Sequence, residues 1–312
     1  MISIGIDLGG TNIAVGVVEE TGHIIGRAVR PTGAQRPCEQ VIFDMAQTVR
    51  DAVENAGKDV RDIYSIGCGV PGIYDEESGM VLFCTNLGWR DVPLRSEMAK
   101  YFNAPFYCDN DATVAALAEA KAGKSVNVRS SVLLTLGTGI GAGIVLDGKV
   151  FSGSHGVAGE FGHFMYCAGG ELCTCGKRGC FERYASATAL IRIGCEAALR
   201  HRESVLRDLT PNQMNARAVV DAARAGDAAG VEAFDEYTTH LSNGIVTVID
   251  FLDPEMILLG GGVSAAGDFL LDPVRAKVER NKFYTSRRHA AIELAALGND
   301  AGIIGAAMLG RQ

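Results

Sequence analysis

Short apolar blocks dominate the first thirty residues, and a longer period replaces them afterwards. Residues 2–8 (ISIGIDL) are apolar except for Ser3, Gly5 and an acid, Asp7, near the end. Ile13 to Val18 and His23 to Arg30 repeat the type, with turn residues Gly9-Gly10-Thr11-Asn12 and Glu20-Thr21-Gly22 between them. Three strands in meander order are predicted. Over residues 38–56 the spacing becomes helical, with Val41, Met45, Thr48, Val49, Ala52 and Val53 on one face. Ile63 to Val70 reads as a buried strand ending at Pro71-Gly72, and Val81 to Phe83 as a short strand. A helix is expected from Pro93 to about Phe102, a strand over 105–109, a helical run to Lys121 and a strand over Val132–Leu136. Helical spacing returns over 186–202, 216–225 and 229–251, with a break at Pro211. A buried strand, Glu255–Leu259, a helix to about Arg280, a strand near Ile292–Leu294 and a small apolar helix, Gly302–Leu309, complete the chain. Strands alternating with helices imply an α/β protein.

The pattern repeats. Shifted by 127 residues, Gly10, Thr11, Ile13, Gly16 and Val18 match Gly137, Thr138, Ile140, Gly143 and Val145. Both copies read as strand, glycine turn, strand, which suggests an internal duplication. Two lobes are therefore expected: residues 1–111 with the last helix, 300–312, packed back on them, and residues 112–299. If both glycine turns face one cleft, they can clamp the phosphates of a nucleotide.

Composition narrows the class. A chain of 312 residues with 47% hydrophobic and 21% charged residues is globular. A net charge of −8 argues against a general grip on nucleic-acid backbone. No apolar run approaches a membrane span, and the start has no basic region of the signal-peptide kind. Nine scattered cysteines fit a reducing cytoplasm, the expected location.

The chemistry concentrates in a few stretches. Residues 159–182 read GEFGHFMYCAGGELCTCGKRGCFE. His163, Cys173, Cys175 and Cys180 supply one imidazole and three thiolates, a closed tetrahedral set of the structural zinc kind. Gly176 and Gly179 let the backbone fold around a metal. A disulfide, buried free thiols, and Cys167 in place of one ligand are the alternatives. Glu160 and Glu182 flank the set and would be fixed by it as substrate-facing acids; solvated surface acids are the alternative. The turn Gly9-Gly10-Thr11-Asn12 can cradle a phosphate, with Asp7 beside it for magnesium, or it is a plain hairpin. Asn110 and Asp111 stand at a strand–helix junction, where either a helix cap or a catalytic acid fits. Gly72 closes a strand at its carboxyl end, where open α/β sheets place ligands. Asn86 beside Trp89 suits a sugar face, if that tryptophan is exposed rather than core. Gly260-Gly261-Gly262-Val263 follows a strand and lets backbone approach the base and ribose of a nucleotide.

These motifs occur together and in order: Asp7-x-Gly9-Gly10-Thr11, Gly137-Thr138-Gly139-x-Gly141, Gly159-Glu160-x-Gly162-His163, Cys173-x-Cys175-Gly176-x-x-Gly179-Cys180-x-Glu182 and Gly260-Gly261-Gly262-Val263. The chain resembles the ROK family (repressors, open reading frames and sugar kinases), with no departure at a motif position. The resemblance implies an actin-like ATPase fold, two ribonuclease-H-like lobes around a cleft, and ATP-dependent phosphorylation of a hexose. It implies Asp111 as general base. Gly72, Asn86, Asn110, Glu160, His163 and Glu182 would bind the sugar, His163 using one ring nitrogen for zinc and the other for sugar. Asp7 would position Mg²⁺. Gly9, Gly10, Thr11, Asn12, Gly137, Thr138 and Gly139 would hold phosphates, and the Gly260–Val263 loop the adenosine. Asn86-Leu87-Gly88-Trp89 followed by Pro93-Leu94 looks like the glucokinase branch; N-acetylmannosamine and N-acetylglucosamine kinases share the other motifs. The family's repressors add an N-terminal helix-turn-helix, which a first strand at residue 2 leaves unexpected. A homodimer or homotetramer is the implied assembly.

Overall fold

The computed structural model describes residues 1–284 and 286–312. Strands β1 (Ile2–Leu8), β2 (Asn12–Val18) and β3 (Ile24–Pro31) precede helix α1 (Cys38–Asn55). Strands β4 (Ile63–Val70), β5 (Ile73–Asp75), β6 (Met80–Cys84) and β7 (Trp89–Val92) lead to α2 (Leu94–Met98), β8 (Phe106–Asn110) and α3 (Asp111–Ala122). Then come β9 (Ser130–Leu136), β10 (Ile140–Leu146), β11 (Lys149–Val150), α4 (Glu182–Ala185), α5 (Ala187–Arg200), α6 (Ala216–Arg224) and α7 (Ala228–Leu252). Strand β12 (Met256–Gly260), α8 (Asp268–Asn281), β13 (Ala291–Leu294) and α9 (Ala301–Met308) follow.

Two compact units result. One comprises Met1–Leu133, Gly143–Gly159 and Ala295–Gln312; the other comprises Leu134–Ala142 and Glu160–Leu294. The first sheet has the order β3-β2-β1-β4-β8, with β1, β2 and β3 antiparallel and β1, β4 and β8 parallel. The second has the order β11-β10-β9-β12-β13. In each sheet the first strand is central, flanked by the second and then the third on one side and by the fourth and then the fifth on the other. The duplication read from the two glycine turns is thus a duplication of topology.

Strand β1 shows how the first unit sorts its faces. Ile2, Ile4, Ile6 and Leu8 belong to a buried cluster with Val41, Met45 and Val49 of α1. The intervening positions, Ser3, Gly5 and Asp7, face the other way, as strand alternation requires. On that side lies α9: a Cβ at Gly5 or at Gly67 would collide with the carbonyl of Ile303 or Ala306. The glycines therefore allow a helix backbone to sit directly on the sheet, and the last helix packs on the first strands.

Two local differences have physical reasons. The helix after Pro93 ends at Met98. Lys100 and Tyr101 then bond back three residues to Glu97 and Met98, a tightened last turn, before Pro105 favours extended backbone. Residues 73–92 form a separate antiparallel sheet, β5-β6-β7, larger than the short strand expected there. Trp89 starts β7 and is only 4% exposed, within the core. The core alternative holds, and Trp89 is not an open platform for a ligand.

Candidate active site and metal centre

At the head of α3 the backbone separates the roles of two adjacent residues. Asn110 is extended (φ −60°, ψ 146°) and is the N-cap. Its Oδ1 accepts from the Ala112 N–H at 2.9 Å, and its Nδ2 donates to the Gly72 carbonyl at 3.3 Å. A cap of this kind stabilises a helix by ~1 kcal/mol. Asp111 is the first helical residue and is exposed, its Oδ1 2.8 Å from the Ala112 N–H. Asp109, at the end of the strand expected over 105–109, accepts from the Asn110 N–H at 2.7 Å and the Ser152 hydroxyl at 2.8 Å. Burial pushes the Asp109 carboxyl above its usual range. Asp109 thus anchors the strand end that carries Asn110 and Asp111.

The β1–β2 turn lies in the same unit. The Gly9 N–H donates to the Asn12 carbonyl at 2.9 Å. Thr32 ties the turn back, its hydroxyl donating to the Gly9 carbonyl at 2.6 Å and its N–H to the Thr11 carbonyl at 2.8 Å. With those carbonyls engaged, exposed Gly10 and Thr11 offer N–H and hydroxyl donors. Asn86 stands against Gly10, 3.5 Å from where a Cβ would lie. Asp7 lies beside Gly302 on the α9 side. Burial raises its pKa, and no hydrogen bond from the described residues reaches its carboxyl. A half-buried carboxylate without a partner suits a hard cation with oxygen ligands.

The second unit builds the matching turn. The Gly137 N–H donates to the Gly139 carbonyl at 3.1 Å. The head of α5 satisfies the turn's other carbonyls: the Ala187 N–H donates to Gly137 at 2.8 Å and the Thr188 hydroxyl to Thr138 at 2.8 Å. Gly139 has a further duty, because a Cβ there would stand 2.5 Å from Oε2 of Glu182. In the loop after β12, Gly261 has φ +82° and packs on the backbone of Leu136, so its lack of a side chain serves the neighbouring strand. Gly262 has open space. With buried Val263 it lines a cavity of about 330 Å³, together with Ala266, Arg217, Asp221 and Arg224.

The four residues of the candidate set come together. His163, Cys173, Cys175 and Cys180 place one ligand atom each within 4.8 Å of one another. Cys175 Sγ is 3.6 Å from Cys180 Sγ, and Cys173 Sγ is 3.7 Å from His163 Nδ1. Zinc–sulfur bonds of about 2.3 Å in a tetrahedron give edges near 3.8 Å, so these spacings fit a four-coordinate ion. Gly176 (φ +88°) and Gly179 (φ +81°) adopt the left-handed backbone that bends the loop. All nine cysteines are free thiols, and Cys167 lies outside the cluster. His163 points Nδ1 into the cluster and Nε2 towards Glu160, 3.9 Å from Oε2. Glu182 accepts from the Cys173 thiol at 3.0 Å. Its side chain is 13% exposed, against 47% for Glu160.

The ROK family model matches residues 3–312. A glucokinase of Halalkalibacterium halodurans is 36% identical over 99% of this chain and 94% of its own. A xylose repressor of Caldicellulosiruptor bescii is 32% identical over 97% of this chain and 76% of its own. Among solved structures, a ROK family glucokinase from Streptomyces griseus in complex with glucose and AMPPNP superposes with a TM-score of 0.85 at 35% identity, covering both chains entirely. Family pattern, duplicated α/β sheets and full-length similarity agree, and the chain belongs to the ROK family.

Proposed function

We propose that the protein is an ATP-dependent hexose kinase that phosphorylates the 6-hydroxyl of glucose. The observation that carries the reading is similarity to glucokinases over the whole length of both chains, including one solved with glucose and an ATP analogue. Membership of the family alone does not decide it, because repressors share the same region.

The residue roles follow from chemistry. Phosphoryl transfer depends mainly on positioning and charge neutralisation. Asp111 takes the proton from the attacking hydroxyl, a role its exposed place beside the capping Asn110 leaves open to it. Glu160, Glu182 and His163 Nε2 hold sugar hydroxyls, and Asn110, Asn86 and Gly72 are sugar-binding residues as well. The residues of the two turns, Gly9 to Asn12 and Gly137 to Gly139, hold phosphates through N–H and hydroxyl donors. Adenosine takes the cavity beside Gly262 and Val263, next to Gly260 and Gly261. Asp7 would hold Mg²⁺, whose charge offsets that of the phosphates. His163, Cys173, Cys175 and Cys180 would hold a structural Zn²⁺. A thiolate ligand would donate no hydrogen bond, which would leave Glu182 Oε1 for a sugar hydroxyl.

The test is ADP release from ATP and Mg²⁺ with glucose, mannose, N-acetylglucosamine and N-acetylmannosamine compared side by side. Glucose is expected to give the highest kcat/KM. An N-acetyl sugar in first place overturns the glucose assignment and leaves the kinase; no turnover with any sugar overturns the kinase.

A further inference from the structure

Glu182 is tethered from a side that the metal cluster does not occupy. Its neighbour Phe181 is completely buried. The Phe181 ring lies 5.1 Å from Phe164, 5.4 Å from Phe161 and 5.5 Å from Tyr166. Gly244, in the middle of α7, also lies against it: a Cβ there would stand 2.1 Å from the ring's Cζ. Glycine inside a helix is unfavourable relative to alanine, so one at this place has a packing reason. Phe181 fills the hole that Gly244 leaves.

A polar strap runs along the same stripe of α7. The Asn243 amide donates to the Tyr166 hydroxyl at 3.1 Å, and that hydroxyl is 3.0 Å from His240 Nδ1. Asn281 of α8 in turn donates to Asn243 at 3.2 Å. Residues 240, 243 and 244 are spaced i, i+3, i+4 and so share one helix face. Tyr166 and Phe181, three residues after one metal ligand and one after another, both dock there. The helix thus acts as a rigid jig for the stretch that ends in Glu182.

We infer that Phe181, seated in the hole at Gly244, is a positioning residue that sets the Glu182 carboxylate for the sugar, separately from the metal. The inference rests on the proposed role of Glu182 as a sugar ligand. Glu182 has Gly139 on one side and the Cys173 thiol on another. A small displacement of its neighbour therefore moves the carboxylate against the turn.

The experiment compares Gly244→Ala, Phe181→Leu, their combination and Glu182→Gln in the full-length enzyme. Metal per chain, and the KM for glucose and for ATP, are measured in each. Gly244→Ala is expected to raise the glucose KM by about ten- to a hundredfold, since a misplacement near 1 Å has effects of that order. The ATP KM should stay within about twofold and metal content should equal that of wild type. Adding Phe181→Leu makes room for the new methyl and should recover part of the loss. Phe181→Leu alone removes volume rather than adding it, folds more readily, and should raise the glucose KM too. Unchanged glucose KM in Gly244→Ala and Phe181→Leu, or metal loss in proportion to the KM rise, overturns the inference. If Glu182→Gln leaves the glucose KM unchanged, the sugar role of Glu182 fails as well. If only Glu182→Gln has an effect, that role stands and the positioning role falls.

Discussion

Asn110 and Asp111 are neighbours of similar size, and either side chain can cap a helix. The chain gives the cap to Asn110, through an extended backbone at that residue and an amide shared between Ala112 and Gly72. Asp111 is then positioned by the helix without being its cap. Asp111→Asn keeps shape and removes basicity. It is expected to lower kcat by ~10²–10⁴-fold, the usual worth of a positioned general base. Sugar binding, followed by titration calorimetry, should change little. A variant with wild-type kcat would remove Asp111 from the mechanism. The ambiguity at this junction was visible in the residues, but its resolution was not, because both types favour the same place and only backbone torsion tells them apart.

At the scale of elements, the long helix α7 offers a test of how local bonds set stability. Asp227 is its N-cap, accepting from the Gly230 N–H at 3.0 Å, the Val205 N–H at 2.9 Å and the Ser204 hydroxyl at 2.8 Å. Burial alone would raise its pKa, but these bonds outweigh burial and hold it below 3.8. Because the folded value is depressed, the stabilisation is present above the unfolded pKa and is lost as pH falls through the folded one. Asp227→Ala should cost ~1 kcal/mol at pH 7. The gap between wild type and variant in urea unfolding should shrink below about pH 4. A gap independent of pH would mean the ionised carboxylate contributes nothing. Strong elements such as β1, α1 and α7 were legible because each carries its own period or its own turn residues. Strands β5 and β7 were not, because strands of three or four residues depend on partners that periodicity does not reveal; the helix after Pro93 was legible except for where it ends.

For the whole molecule, the proposed metal centre can be tested without changing a residue. Enzyme purified without chelators is expected to carry about one zinc per chain. Prolonged dialysis against a strong chelator should lower Tm, raise the KM for the sugar, and be reversed by added zinc. In small peptides structural zinc contributes ~10–16 kcal/mol and its loss unfolds the chain. Here the second unit also has an apolar core built on α5, α7 and β12, so partial loss of stability rather than unfolding is expected. Metal analysis that finds no zinc in such a preparation would remove the structural role assigned to the cluster.

Sequence alone determined what short-range chemistry can carry. The four proposed metal ligands fall within residues 163–180, the two glycine turns announce themselves by composition, and the repeat shows in their matching residues. Ligand spacing and turn conformation are local properties, so no distant contact was needed to read them. Only the tertiary structure decided which carboxylate stands beside which group. Asp7 meets Gly302 of α9, Gly139 makes room for Glu182, and Phe181 fills the hole at Gly244. Each of these pairings joins residues far apart in the chain through close packing. A glycine in the sequence states only that a side chain is absent; the fold decides what occupies the space.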